Sequence, residues 1–398
     1  MLFIAIPCLL STLKILAEIL SFLNLFFQPT KGKSLTMNSK ATENYIRSLL
    51  QKRNYYRLDY EGPWLDKVMQ AYRQPHRYFH TLDHLESICK GIEKSYWDDE
   101  VFASQLLLTA LFHDAVWTPE GGDSEQQSVE AFEFILQKLG NPLPKDVKDL
   151  IAETILSTTD QNAPSKLAEI FHDLDCQVII HGNHVDLLEY EFQIFREFQY
   201  LNMTDYRKGR SEFFSRFPKR FPQCKQTIEF LVEYLERRRP RVGIYAGTFN
   251  PFHIGHLSIL EKAELMFDKV IVAVGINPQK NIERDVMLEK VLPFHEVVYF
   301  DTLIVDLIEQ ESKFCDVTLV RGLRNGYDLD YEMNQLCYMQ EMRPGTQSVY
   351  IPCDKRLEHI SSSMLTGLHM FDVAGRDKIY YPDKYDYHEQ SIEDMFGF

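Results

Sequence analysis

Apolar positions follow two different rhythms along this chain. Between about Tyr45 and Arg238 they recur at helical spacing, as in Glu100 to Phe112, Ser124 to Leu139, Val185 to Tyr200 and Gln226 to Arg237, and strand-like alternation is scarce. That spacing predicts amphipathic helices packed on one another. After Pro240 short apolar runs alternate with helical stretches: Val242 to Tyr245, Val270 to Val274, Glu296 to Phe300, Val317 to Val320 and Ser348 to Ile351. This alternation predicts a parallel sheet of βα units. At the joint stands Arg237-Arg238-Arg239-Pro240-Arg241, where proline ends a helix and the charges mark an exposed surface. The tail from Tyr380, rich in Tyr, Asp and Glu, reads as a peripheral extension. The chain is thus expected to be multidomain: a leader over 1–36, an all-α domain over 40–238, and an α/β domain over 240–398.

A length of 398 residues agrees with more than one core. The net charge of −15 argues against a general nucleic-acid binder, while a local basic pocket for a small phosphorylated ligand remains compatible with it. The seven cysteines form no CxxC pair, which fits a reducing cytoplasm. Met1 to Phe27 is strongly apolar, broken only by Lys14 and Glu18. It reads either as a membrane-associating segment or as a dispensable stretch ahead of a natural start at Met37, and membrane contact through residues 1–28 is expected only in the first case.

The most informative chemistry lies in Tyr245-Ala246-Gly247-Thr248-Phe249-Asn250-Pro251-Phe252-His253-Ile254-Gly255-His256. An apolar run precedes it and a helical pattern follows, so a small-residue turn should join a strand to a helix start. Gly247 allows close backbone approach, the helix start at Gly255 offers unpaired N–H groups, and Thr248 and His256 add side-chain donors. Donors converging on one point suit the charge that develops on a phosphate under attack.

This segment resembles the T/HxGH signature of the nucleotidylyltransferase superfamily. With Asn277-Pro278-Gln279-Lys280, Val320-Arg321-Gly322-Leu323-Arg324, Asp328-Leu329-Asp330-Tyr331-Glu332 and Ile360-Ser361-Ser362-Ser363, the stretch from Arg241 to His369 resembles phosphopantetheine adenylyltransferases. The resemblance implies a Rossmann-like fold, ATP and 4′-phosphopantetheine as substrates, Mg²⁺ and a homo-oligomer. It further implies catalytic roles for Thr248, His256, Lys280 and Arg321 at the transferring and acceptor phosphates. Gly247, Phe249, His253, Gly255, Arg324, Glu332, Ser361, Ser362 and Ser363 would bind the nucleotide, with Glu332 at the ribose and the serines at the triphosphate. His253 stands where that family usually has threonine, and His-x-Gly-His is more typical of nicotinate or nicotinamide mononucleotide adenylyltransferases and of cytidylyltransferases.

In the helical part, His113-Asp114 ends an apolar helix, where polar residues need a reason. His80 and His84 lie upstream, Asp173 and Asp175 downstream. Imidazoles and carboxylates converging from separate helices suit a divalent transition metal. The order His, His-Asp, Asp, with Arg77-Tyr78-Phe79-His80 and Phe112 to Trp117 around it, resembles the HD superfamily of metal-dependent phosphohydrolases. The resemblance implies His84, His113, Asp114 and Asp175 as ligands of Mn²⁺, Fe²⁺, Co²⁺, Ni²⁺ or Zn²⁺. His80 would be an accessory group beyond a helix capped by Thr81, or itself a ligand. A Thr-Lys-x-His element of that subgroup is replaced by Ser157-Thr158-Thr159-Asp160-Gln161. The helical domain is therefore read either as a phosphohydrolase or as a metal-stabilised sensing or docking module.

Overall fold

The computed structural model describes residues 35–118, 123–159, 162–276, 288–371, 375–382 and 391–398. The apolar leader and Lys280 fall outside them, as do Asp160 and Gln161. Among the described residues no helix is long and apolar enough to cross a membrane.

The described chain opens with eleven α-helices: α1 (Leu35–Lys52), α2 (Pro63–Ala71), α3 (Leu82–Ser95), α4 (Glu100–Phe112), α5 (Ser124–Lys138), α6 (Lys145–Leu156), α7 (Lys166–Asp175), α8 (Gln177–His181), α9 (His184–Glu197), α10 (Met203–Arg220) and α11 (Lys225–Arg237). There follow β1 (Arg241–Gly247), α12 (Ile254–Glu264), β2 (Lys269–Gly275), β3 (Val297–Phe300), α13 (Ile304–Glu311), β4 (Asp316–Leu323), α14 (Gly326–Met342), β5 (Ser348–Pro352), α15 (Ser362–His369) and α16 (Ile392–Phe396). Each of the five expected strands is present, and all pair in parallel.

The chain forms two compact units. One holds the described residues up to Glu197, Phe214–Leu231 and the C-terminal stretch from Ser391; the other holds Phe198–Phe213 and the described residues from Val232 to Pro382.

In the helical unit, α4 is buried on every side: Ala103, Ser104 and the run from Leu106 to Phe112 are all inaccessible. A helix apolar all round belongs at the centre of a core, and Asp99 starts it by accepting the Phe102 N–H at 3.0 Å. Thr109, the polar exception on its middle turn, returns its hydroxyl to the Gln105 carbonyl at 2.9 Å. The same core takes Phe396 of α16, fully buried. The tail expected to be peripheral therefore ends as a packed helix, because its polar composition hides one large aromatic ring that water would reject.

In the sheet unit the strand order is β3-β2-β1-β4-β5. Side chains alternate between faces: Tyr245, Val272, Val274 and Val320 pack with Ile259, Leu260 and Ala263 of α12. Ile244, Ala246, Ala273 and Leu319 meet Val305, Leu307 and Ile308 of α13 and Met339 of α14. A parallel sheet covered on both faces is the doubly wound arrangement. Its order reverses between β1 and β4, and ligands of such folds sit at the carboxyl ends of the strands at that switch.

Candidate active sites

At the switch lies a cavity of about 400 Å³. Gly247, Phe249, His253, Gly255, His256, Arg321, Arg324, Glu332 and Ser361 to Ser363 all line it, brought together from four separate segments. Thr248 is exposed on the same turn and is not part of the wall. Lys280 lies outside the described residues. Asp328, Tyr331 and Cys353 also line the cavity. The first two sit in the segment singled out from the sequence; Asp328, one helical turn before Glu332 on α14, is the one that spacing could have pointed to.

The turn after β1 is tightly built. A Cβ on Gly247 would stand 2.9 Å from the Phe249 ring, and one on Gly255 3.0 Å from the His253 ring, so neither position admits a larger residue without movement. Phe249 itself adopts φ 45°, an uncommon left-handed conformation for a bulky side chain. Its ring compensates by packing against Tyr245, Phe252 and His256 at centroid distances of 5.0, 5.6 and 5.1 Å.

The two histidines are fixed by the backbone. His253 caps α12, its Nδ1 accepting the Gly255 N–H at 3.1 Å, and its own N–H donates to His256 Nδ1 at 3.3 Å. The rings stack at 3.7 Å. A nitrogen that accepts from an amide carries no proton, so in each neutral ring the hydrogen resides on Nε2. Burial, reinforced by Arg324, lowers His253 to about 4. Burial, His253 and Arg324 together push His256 well below the usual histidine range. Both are neutral donors near pH 7.

The other anion-binding groups come from β4 and the following helices. Arg321 forms a two-pronged pair with Glu332 at 2.6 and 2.6 Å and donates to the Ala246 carbonyl at 2.7 Å. That carbonyl belongs to β1, so the guanidinium is held across the switch point. Arg324 pairs with Asp328 at 3.1 Å. Ser361 caps α15 by accepting the Met364 N–H at 3.3 Å, and Ser362 donates to the Pro251 carbonyl at 3.0 Å. The starts of α12 and α15 therefore both border one cavity, adding two helix N-termini to two arginines.

The helical unit gathers a second cluster. His84 lies in the first turn of α3, His113 caps the C-terminus of α4, and Asp175 ends α7. Their ligand-type atoms lie within 4.8 Å of one another. His84 Nε2 is 3.0 Å from Asp175 Oδ1. His113 Nδ1 gives its proton to the Ala110 carbonyl at 2.8 Å, so a neutral ring directs an Nε2 lone pair inward. That Nε2 is buried and lies 2.9 Å from Asp114 Oδ2 and 3.5 Å from Asp175 Oδ1, yet neither contact has hydrogen-bonding geometry. Lone pairs facing one another repel unless a cation or proton lies among them. Burial opposes charge on His113, but Asp114 and Asp175 overcome it and raise its pKa well above the usual range. Burial likewise opposes ionisation of Asp175, and its contacts with His113 and His84 hold it low. The carbonyl ends of α4 and α7 also favour a positive charge.

His80 is set apart from that trio. Its Nδ1 lies 2.7 Å from Glu197 Oε2, and Glu197 Oε1 accepts the N–H groups of Tyr78, Phe79 and His80 at 2.7, 2.8 and 2.9 Å. Burial raises the Glu197 pKa, but His80 and these donors lower it further. Sequence reasoning did not single out Glu197; the available signal was a carboxylate three residues after Ile194, in line with the apolar face of α9. Thr81 stands at the cap position of α3 without a capping hydrogen bond. Asp173 meets Arg220 at 3.7 Å and is half exposed, away from the cluster.

The family match found by comparison with known proteins falls within the sheet unit. The cytidylyltransferase-like family matches residues 244–367. A phosphopantetheine adenylyltransferase of Streptococcus suis is 35% identical over 137 residues, 33% of this chain and 85% of that protein. One of Agrobacterium fabrum is 37% identical over 137 residues, 31% of this chain and 82% of that protein. A solved structure, a putative nicotinate-nucleotide adenylyltransferase from Vibrio parahaemolyticus, is 19% identical, covers 39% of this chain and 94% of its own, and has a TM-score of 0.27. By its C-terminal α/β region the chain belongs to the phosphopantetheine adenylyltransferase family and is a nucleotidyltransferase-type enzyme.

Proposed function

We propose that the sheet unit transfers the adenylyl group of ATP to 4′-phosphopantetheine, releasing pyrophosphate and forming dephospho-coenzyme A. The observation that carries this reading is the convergence of two helix N-termini, two neutral imidazoles and two arginines on one cavity. An acceptor phosphate oxygen forms a bond to the α-phosphorus as the bond to pyrophosphate breaks, so positioning and charge neutralisation supply most of the catalysis. The Nε2–H groups of His253 and His256 suit the transferring phosphate. Arg321 has donors beyond the three used by Glu332 and Ala246, and Arg324 and the start of α15 suit the leaving phosphates.

The carboxylates in the wall, Asp328 and Glu332, are already engaged by arginines. This fits Mg²⁺ arriving on the nucleotide's phosphates, where it supplies charge neutralisation, better than a protein-built cage. His253 favours a second reading, transfer to a mononucleotide. Incubating the protein with ATP and each acceptor separates the two: dephospho-coenzyme A is expected, and product from nicotinate or nicotinamide mononucleotide alone would reject the pantetheine assignment.

For the helical unit we propose a metal-dependent phosphohydrolase held by His84, His113 and Asp175, with Asp114 beside them and His80 as an accessory group. The buried, unbonded His113 Nε2 is the observation behind it. Nitrogen and carboxylate donors suit Mn²⁺, Fe²⁺, Co²⁺, Ni²⁺ or Zn²⁺, and such an ion supplies an activated water and polarises a phosphate when bound. Elemental analysis of full-length protein and His113→Ala tests the site. A metal lost in the variant supports it, whereas metal binding indifferent to His113 would reject it; bound metal without phosphatase turnover would favour the sensing-module alternative.

A further inference from the structure

We propose that the cavity beside His84 and Asp175 is the substrate site of the helical unit, and that it takes a phosphomonoester with an uncharged, donor-rich body while discriminating against di- and triphosphates. This inference rests on the metal reading above. The cavity is about 210 Å³, roughly half the transferase cavity. His84 and Asp175 form part of its wall, so a group entering it lies directly against the metal cluster.

The rest of the wall is short of positive charge. Among the described lining residues there is no lysine or arginine, and Asp83 adds a second carboxylate beside Asp175. Arg77, on the neighbouring loop, is spent on the carbonyls of His80, Asp114 and Ala115 at 3.3, 2.6 and 3.2 Å and on Gln74. Arg196 lies 4.7 Å over the Tyr78 ring and is not part of the wall. A triphosphate carries three or more negative charges, and desolvating them without partners is costly. The transferase cavity shows how this same chain meets that cost, with two arginines beside its helix starts; the start of α3 borders the smaller cavity too, but among the described residues no arginine or lysine joins it there. Here a single metal charge can offset a single phosphate.

The body of the ligand is indicated by what remains. Gln193 lines the cavity and donates its amide nitrogen to Glu189 at 2.8 Å, which leaves its carbonyl as an acceptor. With Asp83, that acceptor favours hydroxyl or amide N–H groups, while Tyr78 and Phe79 supply apolar contact. Phosphopantetheine, the proposed acceptor of the other unit, belongs to this class. Its hydrolysis would consume one water: the water oxygen bonds to phosphorus, the ester P–O bond breaks, and the protons are shared between the alcohol and inorganic phosphate.

Calorimetric titration of Mn²⁺-loaded full-length protein tests the inference without requiring turnover. Inorganic phosphate, 4′-phosphopantetheine and tripolyphosphate are compared in wild type and His113→Ala, and only the His113-dependent binding is counted. Phosphate and the monoester are expected to lose about tenfold or more in affinity in the variant, while tripolyphosphate shows no His113-dependent binding tighter than phosphate. A His113-dependent tripolyphosphate affinity about tenfold above phosphate would overturn the proposal. Should His113→Ala not fold, Gln193→Arg serves instead: it should strengthen tripolyphosphate binding about tenfold by supplying the missing cation, and an unchanged affinity would remove this cavity as the phosphate seat. Failure of wild type to retain Mn²⁺ or any of Fe²⁺, Co²⁺, Ni²⁺ and Zn²⁺ would overturn the underlying metal reading, and with it this one, before any phosphate is added.

Discussion

The transferase cavity and the helical-unit cluster both gather residues from distant stretches of sequence, but they gather opposite kinds of group. Around the former, helix N-termini, Arg321, Arg324 and two Nε2–H imidazoles present hydrogen-bond donors. Around the latter, His113 Nε2 and the oxygens of Asp114 and Asp175 face one another at the carbonyl ends of two helices, with a place among them for a proton or a cation. The first arrangement suits an anion and the second a cation. Histidine serves both because its backbone partner decides which nitrogen keeps the proton. An amide N–H donates to His256 Nδ1 and turns the ring into a donor, whereas the Ala110 carbonyl accepts from His113 Nδ1 and leaves Nε2 of that ring facing the carboxylates.

If the two regions are separate machines, damage to one should spare the other. The largest effect is expected from Phe396→Ala. Removing a fully buried ring costs about 3–5 kcal/mol, and Phe396 packs in the helical core. The variant should unfold its helical unit at markedly lower denaturant while adenylyl transfer persists until the sheet unit unfolds. A single transition with loss of both activities would show that the units fold as one.

Next in size is His256→Ala. Loss of one preorganised donor at a developing charge typically costs on the order of 100- to 1000-fold in rate. Adenylyl transfer measured by pyrophosphate release should fall by that factor, with bound transition metal unchanged. A loss of less than about tenfold would remove His256 from the transferring phosphate.

Much of this contrast was legible beforehand, for physical reasons that differ between residues. The strand runs are nearly continuous apolar segments because the sheet is covered on both faces, and that pattern survives in one dimension. His256 and Ser361 were visible because each marks a helix start, a local feature. What could not be read depends on pairing across the chain. Arg321 looked like a free phosphate clamp, yet Glu332 already holds two of its donors. Glu197 reaches His80 across 117 positions of sequence and resembles any helical glutamate until the fold brings the Tyr78 to His80 amides onto it. Phe396 was hidden by an acidic tail, and Thr81 held a cap position without making the cap.

The smallest expected effect concerns pH and probes the donor role of the paired imidazoles. His253, lowered to about 4 chiefly by burial and then by Arg324, should be protonated in only about one molecule in a hundred at pH 6. An unperturbed histidine near 6.5 would be about three-quarters protonated there. The adenylyl-transfer rate at saturating substrate should therefore change by less than about twofold between pH 8 and pH 6 on account of these rings. The linkage has a definite sign. A histidine with a depressed folded-state pKa binds fewer protons than the unfolded chain between about 4 and 6.5, so its contribution to stability is present above 6.5 and is lost on acidification through that window. Denaturant unfolding of the sheet unit should weaken from pH 6.5 towards pH 4, and His253→Gln should flatten that dependence. A transferase rate that instead fell about fourfold between pH 8 and pH 6, with the fall abolished in His253→Gln, would mean the ring titrates like an exposed histidine and that the cavity is wetter than its packing indicates.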